Sequence, residues 1–172
     1  MYRVRQFFGA LTARTDEDDE QIVTRLLTLP QRDLFRRMAP NDQRHSINVC
    51  TTLRDIGESN PDLLVAALLH DVGKASGRIW LWQRTLIVLL QRRAPRLLDW
   101  LARGSFQTSA PWWRRGFVVN RLHTDLSARW AAEAGCSPTT ITLIRRHQEP
   151  LETIESDEDR LLAVLQWADG VN

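Results

Sequence analysis

Lysine is almost missing from this chain. Its 172 residues include 22 arginines and one lysine, Lys74. A GC-rich coding sequence that replaces Lys by Arg accounts for the bias, and it singles out the one lysine that is kept. Cysteine is scarce too: Cys50 and Cys136 lie far apart, with no Cys-x-x-Cys spacing, which fits reduced thiols in a cytoplasmic protein. No apolar run approaches the roughly 18 residues of a membrane span. The longest, residues 79–90, is short and holds Gln83 and Arg84. The N-terminus lacks the apolar stretch of a secretory signal. Excess charge is also lacking: the net value is +2, so neither disorder nor a strong nucleic-acid footprint is expected. Strand-like alternation, internal repeats and low-complexity segments do not occur.

What remains reads as helix throughout. Residues 2–13 form an amphipathic helix with Val4, Phe7, Phe8 and Leu11 on one side. Thr15 and the acidic run 16–20 complement the positive start of a second helix, with Ile22, Val23, Leu26 and Leu27 facing inward. Pro30 opens a third, with Leu34, Phe35 and Met38 on its apolar side, and Pro40 ends it. Residues 41–56 carry His45 on the face of Val49, Leu53 and Ile56, and Gly57 closes them. Asn60 and Pro61 then start a helix whose stretch from Leu63 to Leu69 has no polar face, so it is buried all round. Its end delivers His70 and Asp71 to the interior, where Gly73 permits a tight turn. A buried lone carboxylate demands a cation or a cage of hydrogen bonds.

Residues 79–93 and 95–103 are two helices rich in Trp and Leu. A loop with Gly104, Ser105, Ser109 and Pro111 leads to Trp112-Trp113-Arg114-Arg115. Residues 118–134 place His123 on a stripe with Val119, Leu122, Leu126 and Trp130, and Gly135 stops that helix. Ser137 and Pro138 begin the next, where His147 follows Ile144 by three, and Pro150 ends it. Ser156 caps residues 157–170, whose inner face is Leu161, Leu162, Leu165 and Asp169. The fold class is all-α.

Each of the four histidines, His45, His70, His123 and His147, falls on the apolar face or inward end of a different helix, and Asp71 and Asp169 share that property. A single histidine so placed is ordinarily a hydrogen-bonded core residue. Six such residues together point to a shared metal site. Six N/O ligands exceed the needs of one ion. They divide as His45, His70, Asp71 and Asp169 on one metal and Asp71, His123 and His147 on another, with Asp71 bridging. Imidazole and carboxylate without thiolate favour Fe, Mn, Co, Ni or Zn over Ca, and spacing does not choose among them.

The order His, His-Asp, His, His, Asp resembles the HD superfamily of metal-dependent phosphohydrolases, and His70-Asp71-Val72-Gly73-Lys74 resembles its His-Asp-Ile-Gly-Lys variant. The likeness extends from Arg44 to Asp169. It implies a single HD domain over residues 1–172: N-terminal helices at 1–40, a metal-binding core at 41–77 and 117–170, and an inserted, lid-like helical segment at 78–116. It also implies hydrolysis of a phosphoester, often of a nucleotide, and the two additional histidines resemble the dinuclear branches. After His147 the chain reads Gln-Glu-Pro, so the motif of the cyclic-di-GMP hydrolases is not matched.

Two cations about 3.5–4 Å apart can hold a bridging water, lower its pKa and aim the hydroxide at phosphorus. Asp71 and Lys74 are the catalytic candidates, with Lys74 meeting a non-bridging phosphate oxygen or lying at the surface. Arg44 and Arg146 flank ligand histidines, but helix neighbours point elsewhere, which makes each a surface pair. The Trp- and Arg-rich segment admits a base-stacking lid, a dimer face, an interfacial membrane patch or ordinary packing. The expected partner is a small phosphorylated molecule such as a nucleotide. A catalytically silent binding or regulatory module is the rival, although no ligand is missing.

Overall fold

The computed structural model describes residues 17–77, 79–103 and 110–172. The expected helix at 2–13, Thr15, Asp16 and the loop residues Gly104, Ser105 and Ser109 lie outside them. Among the described residues every regular element is helical, in this order: α1 (Glu17–Leu26), α2 (Leu29–Phe35), α3 (Pro40–Asp55), α4 (Pro61–Leu69), a 3-10 turn (Val72–Ser76), α5 (Leu81–Arg93), α6 (Pro95–Leu101), α7 (Arg115–Glu133), α8 (Pro138–Arg146) and α9 (Asp157–Val171). None is long and apolar enough to cross a membrane.

Several starts follow from local chemistry. Asn60 Oδ1 accepts from the backbone N–H of Asp62 and Leu63 at 2.9 and 3.2 Å, ahead of a proline whose missing N–H would have been unpaired anyway. Ser137 and Ser156 cap α8 and α9 in the same way. Pro40 does not end a helix, as its ring first suggests. It is the first residue of α3, while α2 stops at Phe35, and Met38 is buried from the turn between them.

The central member is α4. Leu63, Ala66, Ala67, Leu68 and Leu69 have no exposed surface, because α3, α8, α9, α1 and α2 all pack on this one helix. Each leucine so buried contributes about 1.5–3 kcal/mol, which makes α4 a fixed post for whatever its end carries.

Two apolar faces differ from the periodic reading. Ile56 is 52% exposed, because it caps α3 rather than continuing the face of Val49 and Leu53. In α7 the buried stripe is Val119, His123, Ser127 and Ala131, while Leu122, Leu126 and Trp130 lie only half-buried at its margin. Small residues occupy the stripe because α7 must approach the 3-10 turn closely. A Cβ on Gly73 would lie 2.1 Å from the backbone oxygen of His123, and the Gly73 N–H donates to Ser127 Oγ at 2.8 Å. Gly73 is therefore required by close approach, not by an unusual turn dihedral.

Helices α5 and α6 build a smaller apolar cluster of Ile87, Leu90, Leu101, Ala102 and Phe117 against α7. Gln83 is fully buried and pins this unit: its Oε1 accepts from the N–H of Trp80 and its Nε2 donates to the carbonyl of Trp113. Arg84 makes a two-pronged pair with Asp42 at 3.0 and 3.2 Å, one turn before His45.

Candidate metal centre

Six side chains converge where α3, α4, α7, α8 and α9 meet. His70 and Asp71 stand at the end of α4, His147 at the end of α8, His45 on α3, His123 on α7 and Asp169 near the end of α9. Ligand atoms of His45, His70 and Asp71 lie within 4.8 Å of one another, as do those of His70, His147 and Asp169, and those of Asp71, His123 and His147. The three sets share His70, Asp71 and His147 and so form one continuous cluster. The rings meet edge-on in the sequence His45, His70, His147, His123, with centroids 5.5, 4.9 and 5.5 Å apart.

Helix geometry decides which ring nitrogen faces the centre. The last carbonyls of a helix have no amide partner. His70 Nδ1 lies 2.9 Å from the carbonyl of Ala67, and His147 Nδ1 lies 2.7 Å from that of Ile144, three residues earlier in each case. His123 Nδ1 makes the same contact with Asn120 inside α7. A carbonyl oxygen only accepts, so each Nδ1 carries the proton and each Nε2 presents a lone pair. Those three Nε2 atoms, together with Asp71 Oδ1, are buried without a hydrogen-bond partner. Nε2 of His123 and His147 stands 3.4 and 3.9 Å from Asp71 Oδ1. Four acceptors facing one another away from water would cost several kcal/mol unless a cation satisfies them. The donor set therefore fits a divalent metal.

Protonation of His147 and of the two carboxylates agrees with that reading. Burial drives the His147 pKa down to about 3, helped by neighbouring His70, so its ring stays neutral. Burial works against the charge on Asp71, but Lys74, His70 and His123 outweigh it and hold the carboxyl well below its usual range. Asp169 is likewise held low: burial opposes, and the hydrogen bond from His45 together with neighbouring His70 prevails. His70 runs the other way: burial lowers its pKa, yet Asp71 and Asp169 prevail and raise it, so a metal bound at its Nε2 would displace the proton those carboxylates favour. Both carboxylates are thus in the ionised form a metal requires.

The cluster has a closed and an open end. His70, Asp71, His123 and His147 are buried, whereas the side chains of His45 and Asp169 are 27% and 28% exposed and joined at 2.8 Å. The Lys74 side chain is 21% exposed but does not project freely: its Nζ sits 2.5 Å from Asp71 Oδ2. Arg44 pairs with Asp19, and Arg146 with Glu158 and Asp159, so both form the ion pairs expected of helix neighbours. Missed at the level of sequence were the carbonyls of Ala67, Asn120 and Ile144, which have no side-chain signature, and Ser127, whose hydroxyl holds the turn after Asp71.

Residues 43–171 match the HD domain family. The match covers most of the chain, so the protein belongs to the HD domain family, a superfamily of metal-dependent phosphohydrolases. No curated protein and no solved structure matches this chain.

Proposed function

We propose that the chain is a hydrolase of a phosphoester or phosphoanhydride in a nucleotide or related small molecule, with two divalent ions held by His45, His70, Asp71, His123, His147 and Asp169. The observation that carries this reading is the set of buried, partnerless Nε2 atoms of His70, His123 and His147 around the Asp71 carboxylate, with Oδ1 of that carboxylate partnerless as well. Such ions supply charge neutralisation at phosphorus and a nucleophile derived from water at neutral pH. Asp71 uses Oδ1 toward His123 and His147 and Oδ2 toward His70, so its two oxygens serve two halves of the cluster. The backbone carbonyls behind His70, His123 and His147 keep those rings from turning, which places the donors before substrate arrives.

Substrate enters at the open end, beside His45 and Asp169. Lys74 is the cation there, with a side chain 21% exposed. In this reading its ammonium exchanges Asp71 Oδ2 for a non-bridging phosphate oxygen, leaving the carboxylate to the metals. That exchange keeps the positive charge local while the phosphoryl group gains negative charge in the transition state.

The test is metal analysis of the reconstituted protein together with hydrolysis of a generic phosphodiester and a nucleotide panel. Two ions per chain and turnover of at least one substrate are expected, and both are lost in Asp71→Ala. Fewer than one ion per chain with no turnover would instead support the silent module. Full activity in Asp71→Ala would overturn the assignment.

A further inference from the structure

Helix α5 is apolar on both sides. Its inner face, Gln83, Ile87 and Leu90, is buried against α7 and α6, and needs no further partner. Its outer face presents Leu81, Trp82, Val88 and Leu89 at 45–57% exposure, and α6 adds Leu97 and Trp100 at 47% and 49%. Most of the large exposed apolar side chains of the described residues fall between Trp80 and Trp113. An amphipathic surface helix would carry polar residues there, so this concentration marks an interaction surface.

The charge of the same segment selects the partner. Residues 79–116 hold seven arginines and one aspartate, which leaves sixteen basic and twenty acidic residues for the rest of the chain. The segment thus carries a net charge of +6, against −4 for the rest of the chain. Two copies meeting through this face would oppose cation to cation. A nucleic acid would satisfy the arginines but leave Leu81, Val88, Leu89 and Leu97 without an apolar environment. Aliphatic side chains, Trp rings and arginines together match the boundary of an anionic bilayer, where Trp sits at headgroup level and arginine meets lipid phosphate.

We infer that the outer face of α5 and α6 docks the protein on the surface of an anionic lipid bilayer. The segment lies on the surface and does not insert across it, since α5 is too short to span. Part of its arginine complement is already used inside the protein. Arg114 donates to the carbonyls of Trp100, Leu101 and Arg103, and Arg84 holds Asp42. The exposed Arg93 and Arg96 are the ones placed to meet headgroups.

Flotation of the full chain with phosphatidylcholine vesicles, with and without phosphatidylglycerol, tests the inference. Binding is expected only with the anionic lipid, accompanied by a blue shift of Trp emission and weakened by salt. Each arginine brought to the surface contributes about fivefold to partitioning. The pair Arg93→Ala and Arg96→Ala should therefore weaken binding by more than about tenfold. Val88→Glu and Leu97→Glu, both at exposed positions, should release the protein from vesicles while its melting temperature is unchanged. Absence of flotation with phosphatidylglycerol overturns the inference. So does a lipid-free dimer that either glutamate variant converts to monomer, or tighter binding to a single-stranded oligonucleotide than to vesicles.

Discussion

Gly73→Ala tests the idea that a close backbone approach, and not the ligands alone, assembles the metal centre. The added Cβ would sit 2.1 Å from the His123 carbonyl oxygen and 2.9 Å from Ser127 N, both backbone atoms that cannot swing aside. The 3-10 turn must retreat from α7 by about 1 Å, because the interior has no free volume to absorb the methyl. That retreat breaks the 2.8 Å bond from Gly73 N–H to Ser127 Oγ, at about 1–3 kcal/mol for a buried donor left unpaired. Overpacking adds about 1–3 kcal/mol, for a total of about 2–6 kcal/mol. In a chain of this size a melting temperature lower by about 4–24 °C follows. The retreat also carries Asp71, two residues earlier, away from His123 and His147 while it remains beside His70. Metal content should fall from two ions per chain toward one, measured by mass spectrometry after reconstitution. Gly170→Ala is the control, since nothing lies within 4 Å of its Cβ position. A Gly73→Ala protein with normal melting and two ions would refute the reasoning.

Lys74→Ala should leave metal content near normal and lower turnover, as read by kcat with metal analysis of the same sample. Unchanged kinetics would remove its role at the phosphate. Burial pushes the thiols of Cys50 and Cys136 up to about 12 and about 11, so each thiolate becomes populated only as pH rises past those values. At pH 8 alkylation of the folded protein should be about a hundredfold or more slower than that of free cysteine, and denaturant should abolish the difference. Rapid alkylation of either residue under native conditions would contradict the raised pKa of its thiol.

Much of the centre is legible in the sequence because helical periodicity links position to direction. Four histidines and two aspartates on inward faces suffice to anticipate that they meet, and the caps at Asn60, Ser137 and Ser156 locate the helix starts. The same periodicity misplaces α7. Its most apolar stripe, through Leu122, Leu126 and Trp130, is not the buried one, since the interface with the 3-10 turn selects residues by size rather than hydrophobicity. Ser127 and Gly73 are needed there because backbone must approach backbone. Gln83 reads as an interruption of an apolar helix, yet it is fully buried, because two backbone partners satisfy its amide.

By itself the sequence determined the all-helical class, the helix starts and the inward faces that carry the six side chains, since each depends on interactions within a few residues of chain. Tertiary structure alone decided which end of the cluster is open, that Lys74 rests on Asp71, and how close the turn after Asp71 comes to α7. It also settled which nitrogen of His70, His123 and His147 faces the centre. A helix carbonyl fixes the proton on each Nδ1, but only the packing of five helices turns the opposite nitrogens toward one carboxylate.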